Sequence, residues 1–217
     1  MQTSTVLLIA TLGAISVLLM LYVYIYTFEN RLFLGLWFIG WAIVAVNYGL
    51  DAFSPYLLRQ NHTIFFLSLI SYFYANLLIS RGTLIFLKTK VKISLFLSIG
   101  MVWLLFFIFF STRNWSDLQM VKYTHLSVFA LSAWIGTAMI RSAKRYGNLA
   151  LFLGLLNIAW VANTVIFSYI LEIPQIAPYI VSQIILLLNA IGLILKRKYK
   201  SWQRIMTACL SLCSLEI

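Results

Sequence analysis

The sequence predicts an all-α integral membrane protein, a seven-helix bundle with its N-terminus outside and its C-terminus inside. Three observations lead there. The chain of 217 residues is 63% hydrophobic and 10% charged, with a mean hydropathy of +0.96, whereas soluble domains sit nearer half apolar and a quarter charged. Its apolar residues fall into seven runs of about 20 residues, the length a helix needs to cross the hydrocarbon core. Its cations are sorted to one set of the intervening loops, as they are on the cytoplasmic side of membrane proteins.

The runs lie at about 5–26, 32–50, 64–87, 93–111, 121–140, 149–171 and 176–195. Lipid offers no partner to backbone N–H and C=O groups, so each run is a helix. The short loops force sequential neighbours to run antiparallel. Together they form one transmembrane domain over residues 1–200.

Run one follows Met1-Gln2-Thr3-Ser4-Thr5, which lacks a basic n-region and so reads as a first span rather than a cleaved leader. Tyr22, Tyr24 and Tyr26 near its inner end fit an interfacial aromatic belt. Run two begins after Arg31 and carries Asn47. Run three holds Asn76 and, near its end, Arg81 and Gly82; Arg81 reads as an extension of the basic belt, snorkelling to the interface. Run four is bounded by Lys88, Lys90 and Lys92 on one side and Arg113 on the other. Run five contains His125 and ends at Arg141, Lys144 and Arg145. Run six carries Asn157, Trp160 and Thr164 at a spacing that shares one face, with Asn163 on the neighbouring flank. Run seven holds Gln183 and Asn189 and leads into Lys196-Arg197-Lys198-Tyr199-Lys200.

The charge balance tests the topology. Arg31, Arg81, Lys88, Lys90, Lys92, Arg141, Lys144, Arg145 and the tail fall on one side, leaving only Arg59, Arg113 and Lys122 on the other. Three of the five acids, Asp51, Asp117 and Glu172, join that second side. Hence N-out and C-in. The same placement explains the net charge of +11 without a nucleic-acid partner. Two Asn-x-Ser/Thr sequons, at Asn61 and Asn114, fall in loops expected outside.

Residues 201–217 change character. Trp202, Met206, Cys209 and Cys213 recur at a 4-3-4 spacing, which suits a cytoplasmic amphipathic helix or the start of a two-stranded coil, a connector whose continuation is missing. That stripe motivates a homodimer.

Catalytic chemistry is poorly supplied. Two histidines, His62 and His125, and five carboxylates show no paired or metal-ligand spacing, so no enzyme activity, metal or cofactor is expected. The last run contains no lysine, which excludes a retinal-binding protein, and the single Pro-Gln pair lies in a loop, which fits a triple-helix-repeat sugar transporter poorly. What remains are polar groups at membrane depth. Asn47, His125, Asn157, Trp160 and Asn163 are the candidate ligand-binding set, and Asn76, Gln183 and Asn189 the candidate interhelical contacts. Lys196, Arg197, Lys198 and Lys200 are the topology anchor and the expected signal relay.

The passage Tyr26-Thr27-Phe28-Glu29-Asn30-Arg31, with Leu34-Gly35-Leu36-Trp37 and Gly40-Trp41 after it, resembles the first cytoplasmic turn and second span of the seven-transmembrane N-terminal sensor regions of bacterial histidine kinases and diguanylate cyclases. Ala75-Asn76, Arg81-Gly82 and Phe86-Leu87-Lys88 are similar to their third span, and the last helix with its basic tail to their exit toward an output domain. The likeness covers residues 20–200. It implies a sensory input domain in a bacterial inner membrane, relaying a ligand or the state of the bilayer to a cytoplasmic signalling domain or effector. No phospho-accepting histidine box, ATP-binding fold or cyclase signature is present. The alternative is a small transporter or channel whose buried amides line a path for a polar solute, and a third reading is a membrane scaffold.

Overall fold

The computed structural model describes residues 12–13, 15–20, 22–23, 31–53, 61–113, 116–146 and 148–165. All the regular structure among them is helical. After the helical residues between 12 and 23 come α1 (Leu32–Phe53), α2 (His62–Phe86), α3 (Ile93–Ser111), α4 (Asp117–Arg141), the short α5 (Ala143–Tyr146) and α6 (Asn148–Val165). Four of them, α1 to α4, are long and apolar enough to cross a membrane. α6 contributes a shorter apolar stretch, Ala150–Ala159. The chain is therefore all-helical where described, with the composition of a membrane protein. The expected seventh run and the basic tail lie outside the described residues.

The helix ends follow from local chemistry. Asn61 caps α2, its side-chain oxygen accepting from the backbone N–H groups of Thr63 (3.1 Å) and Ile64 (3.3 Å). Ser116 opens α4 with a capping box shared with Gln119, which satisfies two donors that the first turn leaves over. The cap starts α4 at Asp117, a turn before the apolar run at 121. α2 closes in a Schellman turn: Thr89 N–H donates to Leu84 C=O (2.9 Å) and Lys88 N–H to Ile85 C=O (3.0 Å). Lys88 there takes φ 55°, a left-handed position that glycine usually fills.

α2 organises the bundle. It pairs along its length with α1, meets α4 on a second face and α3 on a third, while α4 pairs with α6. Lipid is as apolar as leucine, so lateral association depends on close fit and hydrogen bonds rather than on burial of oily surface. Each contact bears this out. Gly40 admits Ala75 and Ile79: a Cβ there would lie 2.6 Å from Ile79 Cγ1 and 2.9 Å from Ala75 O. Gly82 lies under the Trp37 indole, whose Nε1 donates to Thr83 Oγ1 at 3.1 Å. Phe33, Trp37 and Phe86 form an aromatic cluster with centroid separations of 5.1–5.7 Å, and Tyr22 of the N-terminal helical residues joins it at 5.8 Å from Trp37. On the α3 side, Phe73 stacks on Trp103 at 4.1 Å and Tyr74 donates to Gly100 C=O at 3.0 Å. Phe96 of α3 in turn stacks on Trp134 of α4.

Away from these seams the helices present apolar side chains outward. α3 does so most, with Leu97, Val102 and Leu105 each more than 60% exposed, as expected of helices apolar all round in a lipid environment.

Candidate functional site

The polar groups expected at membrane depth fall into three places. The first is the α1–α2 seam, toward the end of α1. Asn47, on the last turns of α1, is buried. Its Oδ1 accepts from Ser68 Oγ at 2.9 Å and stands 3.2 Å from Ser71 Oγ, while its Nδ2 donates to Ser71 Oγ at 3.1 Å. Ser71 also reaches the Ser68 carbonyl at 2.9 Å. The amide is therefore closed off by two hydroxyls on the next helix. The two serines are three residues apart and share a face of α2.

The second place is the α2–α4 seam at the same level. His125 stands with its ring centroid 5.8 Å from Tyr72 and 6.2 Å from Phe129. Ser71 and Tyr72 are adjacent on α2, so Asn47 and His125 reach one depth on faces about 100° apart around that helix. Of the candidate ligand-binding set, Asn47 and His125 thus share a level, with α2 standing between them. The neighbouring Thr124 hydroxyl is buried and has no hydrogen-bond partner among the described residues.

The third place is the α4–α6 crossing. Asn157 is buried; its Nδ2 donates to Leu153 C=O at 3.0 Å and lies 3.8 Å from Met139 Sδ. Fourteen residues of α4 separate His125 from Met139, about 21 Å of helix, so Asn157 belongs to a different layer from Asn47 and His125. Beside it, Gly136 and Gly154 bring the two backbones together: a Cβ on Gly154 would lie 2.7 Å from Gly136 O, and one on Gly136 would lie 3.0 Å from Gly154 O. Asn76 spends its amide within α2, donating to Tyr72 C=O at 2.8 Å.

Trp160 and Asn163 lie on the last turns of α6, and of these two residues the backbone alone is described. Gln183, Asn189, Lys196, Arg197, Lys198 and Lys200 lie outside the described residues. Ser68, Ser71 and the Trp37–Thr83 bond are additions that the sequence reasoning missed. The available signal was the need of a membrane-depth amide for partners and a serine pair at helical spacing on the adjacent run. Among the described residues no group of three His, Cys, Asp or Glu side chains could hold a metal ion.

Chemically, the arrangement joins helices. Of the asparagines expected at membrane depth, Asn76 and Asn157 bond to carbonyls of their own helix and Asn47 to the serines of its neighbour. No family model matches the chain, and neither a curated protein nor a solved structure does.

Proposed function

We propose that this bundle is the sensory input region of a signal-transduction protein in a bacterial inner membrane, N-out and C-in. It would act as a homodimer through a cytoplasmic signalling domain or effector. In this reading α6 and the last span shift slightly against α4 when a ligand binds or the bilayer changes. The basic stretch Lys196–Lys200 carries that shift out of the membrane. The chain itself performs no catalysis.

The observation that supports relay over transport is the way the polar groups are spent. Asn47 is closed by Ser68 and Ser71, and Asn76 and Asn157 bond to backbone carbonyls. A solute path would need such groups turned toward a wet cavity. The α4–α6 seam, by contrast, centres on the close backbone approach of Gly136 and Gly154, with Met139, Ile140, Asn157 and Ile158 around it, a joint at which a small displacement is felt by both helices.

The test fuses the full chain to a diguanylate cyclase output domain. Cyclic dinucleotide is then measured in cells for the parent fusion and for Gly136→Leu and Gly154→Leu. Wedging the seam is expected to change output severalfold at equal membrane abundance. Output equal to that of the same cyclase on an unrelated membrane anchor, with both variants silent, would sink the proposal. Solute flux in liposomes carrying the chain would replace it with the transport reading.

A further inference from the structure

One end of the bundle concentrates positive charge. Because neighbouring helices run antiparallel, Arg31 before α1, Lys88, Lys90 and Lys92 between α2 and α3, and Arg141, Lys144 and Arg145 after α4 all meet there. All seven are exposed. The acids of the described helices, Asp51 and Asp117, stand at the opposite end. None of the seven forms an ion pair with a described residue, and neither does Arg81.

Arg81 is the unusual member. It lies inside α2, seven residues before Lys88, which places it about 10 Å deeper along the axis. It is partly buried. Its neighbours on the same stripe, Leu77 at i−4 and Tyr74 at i−7, touch Gly100 of α3. Arg81 therefore continues the α3-facing edge of α2 toward the start of α3. An arginine at that depth lifts its guanidinium along its own stem toward the interface, where Lys88 lies in the turn that closes α2. The turn that carries Lys88 is fixed by two backbone hydrogen bonds, with φ 55°. Leu78 and Ile85, one turn to either side of Arg81, are partly exposed and apolar.

We propose that Arg81 and Lys88 hold the phosphate of an anionic phospholipid, with its acyl chains along Leu78 and Ile85 of α2. The site lies in the leaflet at the α2–α3 turn. Charge complementarity selects the occupant: a cation inside the helix and one at its closing turn, flanked by Lys90 and Lys92 and with no described carboxylate at their end, fit a headgroup of net negative charge. A zwitterionic headgroup brings its own ammonium and loses that advantage. The apolar stripe selects a lipid over free phosphate. The inference is independent of the proposed signalling role and of which side of the membrane this end faces.

The experiment reconstitutes the full chain in nanodiscs of phosphatidylcholine with and without phosphatidylglycerol. It extracts the protein in mild detergent and measures retained lipid by native mass spectrometry. Phosphatidylglycerol is expected to be enriched on the wild-type chain. Arg81→Gln and Lys88→Gly should each lower that enrichment by about fivefold, the effect of one cation near an anionic surface. Lys88→Gly favours the left-handed turn while removing the charge, so misfolding does not explain its loss. Arg113→Gln, at the opposite end, is the control and should leave enrichment unchanged. Enrichment unaltered in both test variants, lost equally in Arg113→Gln, or displaced by inorganic phosphate would overturn the proposal.

Discussion

The α4–α6 crossing makes a prediction whose sign depends on the geometry. A Cβ placed on Gly154 would stand 2.7 Å from Gly136 O, 2.7 Å from Ile140 Cγ1 and 3.0 Å from Ile140 N. The isoleucine carbon can turn away, but the carbonyl oxygen and the amide nitrogen belong to a helix backbone. Gly154→Ala therefore requires the helices to part by about half an ångström, and gaps of that size forfeit a quarter to a half of each dispersion contact they open. Overpacking of this kind costs about 1–3 kcal/mol, against a gain of about 0.5–1 kcal/mol from replacing a helical glycine with alanine. The net expectation is a loss of about 1 kcal/mol, and of up to about 2.5 kcal/mol where the backbones yield least. Gly49, on α1, has nothing within 4 Å of its would-be Cβ, so Gly49→Ala keeps only the gain of about 0.5–1 kcal/mol. The assay is reversible unfolding of each variant by SDS in mixed micelles, followed by tryptophan fluorescence. Opposite signs are expected for the two substitutions. If both stabilise, or both destabilise by the same amount, the close backbone crossing is refuted.

Other perturbations follow from the same contacts. Asn47→Leu removes the amide that joins α1 to Ser68 and Ser71 and should cost about 1–2 kcal/mol in the same titration, at roughly 0.6 kcal/mol per interhelical bond. Ser71→Ala should cost less, because Ser68 still reaches Asn47 Oδ1. Asn61→Ala removes the α2 cap and should lower stability by about 1 kcal/mol, with Asn61→Asp retaining most of it; equal losses in the two would show that the cap bonds do not matter. Trp37→Phe removes the donor to Thr83, whose hydroxyl keeps its own bond to Ile79 C=O. A loss of about 1 kcal/mol is expected, and Thr83→Val on that background should add little, as a double-mutant cycle would reveal.

Much of the helical framework could be read along the chain. The runs at 32–50, 64–87, 93–111 and 121–140 correspond to α1 through α4, and the run at 149 opens α6. The ends were less legible where polar side chains extend a helix past its apolar stretch. Asn61 reads as part of a sequon, yet it caps α2, and Ser116 begins α4 before the hydrophobic residues do. Of the candidate site, the burial of Asn47 and Asn157 was legible, since an amide inside an apolar run must turn toward protein. Their grouping was not. Periodicity within α6 placed Asn157 on a face with Trp160 but carried no information on which layer of α4 that face would meet.

Hydropathy and charge by themselves determined that this chain forms long apolar helices with cations gathered at one end. The reason is local: a backbone in lipid must satisfy its own hydrogen bonds, and that leaves the helix as the outcome for each run. Which helices touch, and where, was decided only in three dimensions. Lipid gives apolar faces no preference for protein, so association falls to shape at a few points. Gly40 and Gly82 admit α1 to α2, Phe73 and Trp103 stack α3 onto it, and Gly136 against Gly154 draws α6 onto α4. Those fits depend on the depth and rotation of two helices at once, which no single run encodes.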